Sequence, residues 1–139
     1  MTNKTLIMTV GLPRSGKSTW SRKTIYPIVN PDSIRLALYN KPFIKECEPM
    51  VWTITRYMVK SLFLAGHEIV ILDATNLKKS DRLKWISKDW TCQYQYFDTS
   101  VEVCIERAIK TNTLDLIDVI NRMDAQKDLS DILPTSLLK

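Results

Sequence analysis

Residues Gly11, Leu12, Pro13, Arg14, Ser15, Gly16, Lys17, Ser18 and Thr19 form one run whose first eight members fit the pattern G-x-x-x-x-G-K-[ST]. The two glycines relax the backbone, so that successive N–H groups can turn inward around phosphate oxygens. Lys17 then reaches the β- and γ-phosphates of a nucleoside triphosphate, and the Ser18 hydroxyl holds Mg²⁺. The pattern requires a strand before it and a helix after it. Residues 6–10 are a short apolar, partly β-branched run that reads as a buried strand. Residues 18–26 read as the helix, its N-terminal dipole facing the same anion. The whole run from Gly11 to Thr19 is expected to hold ATP.

Asp73 offers a second function. It ends the apolar run Ile69, Val70, Ile71, Leu72, which puts a carboxylate at the carboxyl end of a buried strand, able to hold Mg²⁺ directly or through water. The same residue also fits a strand-end cap. Thr75 and Asn76 suit the orientation of water or acceptor and suit a turn equally well. Asp32 and Arg35 stand one helical turn apart behind another short apolar segment. A hydroxyl that accepts a phosphoryl group needs a carboxylate to take its proton, and a cation to seat any phosphate the acceptor carries. Asp32 and Arg35 supply both; they also fit a helix N-cap followed by an exposed arginine.

The elements between these residues must bring them together. Pro27 ends the first helix near Tyr26. Residues 28–30 read as a short strand, residues 33–39 as a helix, and "KPFIKECEP" as a loop. Val51, Ile54, Met58, Leu62 and Ala65 recur every three to four positions, an amphipathic helix over residues 50–65 that Gly66 ends. A helix over residues 80–89 carries Leu83 and Ile86 on its apolar side, "CQYQYF" alternates as a strand, Ser100 caps a helix through Ile109, and a last helix covers residues 114–127. Strands alternating with helices imply right-handed crossovers. The expected fold is α/β, a three-layer P-loop NTPase type with a small, mainly parallel sheet of about four strands flanked by helices. Ligands lie at the carboxyl ends of such strands, where Gly11, Asp32, Asp73 and Asp98 fall.

Composition bounds the rest. The 139 residues, 45% hydrophobic and 25% charged, suit a single domain over 1–139 with its own core. Cys47, Cys92 and Cys104 make no CxxC, and His67 is the one histidine, so a Cys/His zinc site is unsupported and the thiols read as reduced. His67 reads as a surface turn residue. The N-terminal apolar run is too short for a signal peptide, and no stretch of roughly 18 apolar residues occurs. A soluble, cytoplasmic protein away from membranes is expected. The net charge of +5 suits a polyanionic partner. Lys78 to Lys84, "KKSDRLK", is either a solvated helix start or a nucleic-acid contact. Trp20, Trp52, Trp85 and Trp90 read as core or boundary residues; one of them could stack on a base, and nothing in the sequence singles it out.

The segments "VGLPRSGKSTW", "NPDSIR", "VILDATNLKKSDRLKW" and "CIERAIK…IDVINRM", in this order and spacing, resemble the kinase domain of the bacteriophage polynucleotide 5′-kinase family. That domain is a P-loop kinase of the AAA-like zeta-toxin/polynucleotide kinase group, and the similarity spans residues 5–128. The phosphate loop is common to many families; "DxxR" after the second strand together with "DATN" is more selective. In that family the matching Asp is the general base on the 5′-hydroxyl and the matching Arg contacts the acceptor phosphate, which the resemblance assigns to Asp32 and Arg35. Family lid arginines close over the ATP phosphates. Arg107 matches the first, but the next turn reads "IKTNT", so Lys110 substitutes or the lid is weaker, since Arg and Lys are not equivalent in bidentate contacts. Arg122 is another lid candidate. The chain to Lys139 has no room for the phosphatase domain some relatives carry, so 3′-phosphate removal is not expected. The resemblance implies ATP·Mg²⁺-dependent phosphoryl transfer to a hydroxyl on DNA or RNA, foremost the 5′-OH end. The alternatives are a kinase acting on 5-hydroxymethyluracil within phage DNA, a small nucleoside or metabolite kinase, and, from another class, a nucleotide-binding switch or ATPase. The base-like Asp32 and the small size speak against the last. The sequence does not specify an oligomeric state.

Overall fold

Four short segments, each leaving its backbone donors and acceptors unpaired, join into one parallel sheet in the computed structural model, which describes residues 3–132. They are β1 (Thr5–Val10), β2 (Ile28–Val29), β3 (Ile69–Leu72) and β4 (Thr91–Tyr96), in the order β2-β3-β1-β4. Leu6 pairs with Val70 and Cys92, Met8 with Leu72 and Tyr94, and Val29 with Leu72. This register sets the ends of β1, β2 and β3 side by side. The connection after β1 runs to the β2 edge and the one after β3 to the β4 edge, which opens a crevice at their carboxyl ends.

The helices are α1 (Lys17–Arg22), α2 (Pro31–Tyr39), α3 (Glu48–Leu64), α4 (Lys79–Leu83), α5 (Val101–Lys110) and α6 (Leu116–Gln126), with a 3-10 turn at Lys45–Cys47 before α3. Ser100 caps α5 through a bond from the Val103 N–H, as its position predicts. Gly66, at φ 108°, follows the end of α3. One cluster joins Leu6, Met8, Val70 and Leu72 to Val51, Val59 and Phe63 of α3 and to Trp85 and Trp90. A second joins Val10 and Leu12 to Cys104 and Ala108 of α5 and Ile120 of α6. Burying each large aliphatic or aromatic group stabilises by about 1.5–3 kcal/mol.

Three helices differ from expectation. α3 turns Val51, Thr55, Val59 and Phe63 inward, so of the expected stripe Val51 is buried while Met58 and Ala65 are exposed. α1 ends at Arg22, short of Pro27, because the Lys23 and Thr24 N–H groups bond three residues back and the Thr24 hydroxyl also occupies the Ser21 carbonyl. α4 is five residues long, and Leu83 and Ile86 are 53% and 59% exposed. Beyond Leu83 the chain tightens into three-residue closures, Trp85 onto Arg82 and Ile86 onto Leu83, so helical spacing no longer applies. Arg82 and Trp85 are buried instead.

Candidate active site

The loop between β1 and α1 is built on two positions that only glycine fits. A Cβ on Gly11 would lie 2.6 Å from Ser15 Oγ and 3.0 Å from Phe97 Cβ. Gly16 sits at φ 105° immediately before α1. Loop and neighbours are cross-braced: the Gly11 N–H donates to the Thr75 carbonyl (3.0 Å), the Thr99 hydroxyl to the Ser15 carbonyl (2.8 Å), and the Asn76 amide to the Thr9 carbonyl (2.9 Å). Leu12 and Ser15 are buried, Pro13 is half-buried, and Arg14 and Thr19 are exposed. Lys17 folds beneath the loop, its ammonium donating to the Leu12 carbonyl at 2.6 Å and to Ser15 Oγ at 3.4 Å. Burial lowers its pKa from 10.5 to about 8, against the smaller opposing effects of Asp73, Cys104 and Asp32.

Ser18 donates its hydroxyl to Asp73 Oδ2 at 2.8 Å. Asp73 is buried, and the same oxygen accepts a second bond, 3.2 Å, from Asn30 Nδ2. Mg²⁺ prefers hard oxygens, one or two from protein and the rest from phosphate and water. A hydroxyl and a carboxylate oxygen converging beneath a phosphate loop fit that preference, and these two residues would hold the ion. Among the described residues no cluster of three His, Cys, Asp or Glu forms.

Asn30 also reaches the start of α2. Its Oδ1 accepts from the Asp32 N–H (2.8 Å) and the Ser33 N–H (3.4 Å), capping α2. One amide thus ties the start of α2 to Asp73. Asp32 itself is 79% exposed, and its Oδ1 lies 2.6 Å from Arg35 Nη1. Arg35 turns its other edge on Glu48, Nε to Oε2 at 2.9 Å and Nη2 to Oε1 at 2.6 Å. Burial works against the Arg35 charge, but the hydrogen bonds and charge of Glu48, with those of Asp32, outweigh it and raise its pKa. Trp52 Nε1 donates to Glu48 Oε1 (3.3 Å), and the guanidinium lies 5.8 Å from the Trp52 ring centre. The sequence reading missed Asn30 and Glu48. An Asn before a Pro at a helix start is a legible cap, whereas nothing local marks Glu48.

Arg107 donates from Nη1 to the Arg14 carbonyl at 3.0 Å, which places it over the phosphate loop. Arg14, at φ 67°, reaches Thr113 Oγ1 (3.3 Å) beyond α5. Arg122 is exposed on α6 and, among the described residues, forms no hydrogen bond or ion pair that ties it to the loop; Lys110 is exposed at the end of α5. Within "KKSDRLK", Arg82 is fully buried. It donates to the Asn76 carbonyl (2.7 Å), to the Asp128 carbonyl and to the Asp131 carboxylate, locking the loop after β3 to the chain after α6. His67 is exposed in the turn before β3. Among the described residues no helix is long and apolar enough to cross a membrane.

A protein-family model described as an AAA domain matches residues 6–115. Solved structures share the fold. A chain of the Pnkp1/Rnl/Hen1 RNA repair complex superposes with a TM-score of 0.67 at 19% identity, covering 99% of this chain and 51% of that one. A chain of a Pnkp1/Rnl/Hen1 complex gives 0.65 at 27% identity over 75% of this chain and 38% of that one. A gluconokinase from Sinorhizobium meliloti gives 0.54 at 19% identity over 96% and 81%. The chain spans about half, or less, of the RNA-repair chains it matches.

Proposed function

We propose, for a chain that belongs to the AAA domain family and carries the P-loop kinase fold, that it transfers the γ-phosphoryl group of ATP to a hydroxyl of a nucleic acid, foremost the 5′-OH end of DNA or RNA. The observation that carries this reading is the tie that Asn30 makes between two differently used carboxylates, its Nδ2 on Asp73 Oδ2 and its Oδ1 on the Asp32 N–H. Asp73 is buried and bonded to the Ser18 hydroxyl, whereas Asp32 is exposed beside a guanidinium. An ATPase switch needs the first; a kinase needs both.

In this reading the loop N–H groups and Lys17 hold the phosphates. Ser18 and Asp73 hold Mg²⁺, which when bound offsets charge on the phosphate oxygens. Asp32 takes the proton from the acceptor hydroxyl as it attacks in line. Arg35, held from behind by Glu48, seats the acceptor's neighbouring phosphate. Arg107 closes over the nucleotide from α5, with Arg122 a second lid group. The net charge of +5 and the likeness to RNA-repair chains support a polynucleotide acceptor. The likeness to a gluconokinase over most of that chain favours a second reading, a small-molecule kinase.

Incubation with radiolabelled ATP and a panel of 5′-OH DNA, 5′-OH RNA, hydroxymethyluracil-containing DNA, nucleosides and sugar acids separates the two. Label on a polynucleotide end supports the first; label only on a free small molecule replaces it with the second.

A further inference from the structure

The four tryptophans are alike in the sequence and different in the fold. Trp85 and Trp90 are buried, Trp90 stacked on Phe63 with ring centres 5.5 Å apart. Trp20 packs edge-on against Phe97 at 5.9 Å. Trp52 is half-buried and lines a cavity of about 430 Å³ together with Trp85, Arg56, Thr75, Asn76, Asp81 and Lys84. That volume lies within the roughly 300–1,000 Å³ usual for small-molecule sites. The cavity lies between the first turns of α3 and the loop after β3. One wall therefore begins two residues beyond Asp73, and the other adjoins the Glu48 carboxylate that holds Arg35.

The lining has a definite chemistry. Trp52 commits its N–H to Glu48 (3.3 Å), which fixes the ring and leaves it to interact through its π surface. Arg56 is held in place on the same wall by the Lys84 carbonyl (2.8 Å) and the Trp85 ring (5.2 Å). Thr75 and Asn76 add small polar groups. A fixed indole, the Arg56 guanidinium, a Lys84 ammonium shared with Asp81 at 3.6 Å, and short hydrogen-bonding side chains match a planar heteroaromatic ring attached to a phosphodiester.

We propose that this cavity is the acceptor-base subsite: it takes the nucleobase of the nucleotide being phosphorylated, stacked on Trp52, with Arg56 and Lys84 facing the adjoining strand. The proposal rests on the nucleic-acid reading above. Its test compares a short 5′-OH single strand with the same strand made abasic at its 5′ nucleotide, using wild type, Trp52→Ala and Trp52→Phe. Wild type should show an acceptor KM about 5- to 150-fold lower for the base-bearing strand, the usual span for one base–aromatic stack. Trp52→Ala should erase that preference, Trp52→Phe should keep most of it, and KM for ATP should stay level. The wild-type comparison needs no variant and remains decisive if Trp52→Ala does not fold. Equal wild-type use of both strands, or an equal loss on both in Trp52→Ala, overturns the subsite and leaves the nucleic-acid reading standing. No label on either strand, with turnover on a free nucleoside or sugar acid, overturns that reading and the subsite with it.

Discussion

Arg35 grips Glu48 with two nitrogens, Nε at 2.9 Å and Nη2 at 2.6 Å, and so has only Nη1 facing Asp32. The fork is held from α3, thirteen residues on, and cannot swing with α2 alone. Glu48→Ala should release it. Bonds to charged groups are worth about 1.5–3 kcal/mol, so kcat/KM for the acceptor should drop roughly ten- to a hundred-fold with KM for ATP unchanged. Steady-state kinetics against each substrate checks this, and Glu48→Gln, which keeps one acceptor oxygen, should fall between.

The two carboxylates should fail in different ways. Asp32→Asn should lower kcat by roughly a hundred- to ten-thousand-fold with little change in ATP affinity, because in the proposed mechanism it removes a base and not a nucleotide contact. Asp73→Asn should lower kcat and raise the Mg²⁺ concentration needed for half-maximal rate. Magnesium titrations on both variants decide the assignment. An Asp32→Asn enzyme that keeps kcat but loses ATP binding would mean the roles are reversed.

Lys17, brought down from 10.5 to about 8 by burial, links pH to both stability and binding. Below pH 8 the native and unfolded chains both carry its proton. Between about 8 and 10.5 the unfolded chain binds more protons, so this residue makes stability rise with pH in that window. ATP affinity should move the opposite way, falling above about pH 8 as the ammonium is lost. The difference in Tm between wild type and Lys17→Ala across pH 7–10, with ATP titrations alongside, isolates the effect. Lys17→Ala should also reduce turnover by roughly a hundred- to a thousand-fold; near wild-type turnover in the folded variant would falsify the phosphate-loop assignment.

A polynucleotide acceptor should announce itself through salt. Each phosphate neutralised contributes a log–log slope of about −0.7 on single strands and −0.9 on duplex, so acceptor KM should climb steeply between low and physiological salt while KM for ATP climbs less. A flat acceptor response, with good rates on nucleosides or sugar acids, would point to the small-molecule reading.

Arg82 should matter for stability before activity. Arg82→Met leaves the Asn76 and Asp128 carbonyls and the Asp131 carboxylate without their shared donor. Removing one partner of a buried pair typically costs 3–5 kcal/mol; with Asp131 20% exposed, a loss of roughly 3 kcal/mol is expected in denaturant titration.

What the sequence determined by itself is what short-range rules govern. The phosphate loop is readable because glycine freedom, a lysine and a hydroxyl act within nine residues. Asp73 is readable because four apolar residues in a row leave the next side chain at a strand end. The elements follow from periodicity, and the resemblance to a kinase family rests on the same local segments. Local rules failed where local geometry changed: α4 stops after five residues, and the inward positions pass from Leu83 and Ile86 to Arg82 and Trp85. The tertiary structure alone decided the partnerships across crossovers. Asn30 meets Asp73, Glu48 meets Arg35, Arg82 meets Asp131, and Trp52 and Trp85, of four tryptophans, line the cavity beside the site. These contacts depend on the β2-β3-β1-β4 order and the register that sets β2 and β3 with their ends together. A polar side chain carries no local mark of the distant group that will satisfy it, because its partner is chosen by where the sheet brings the chain back.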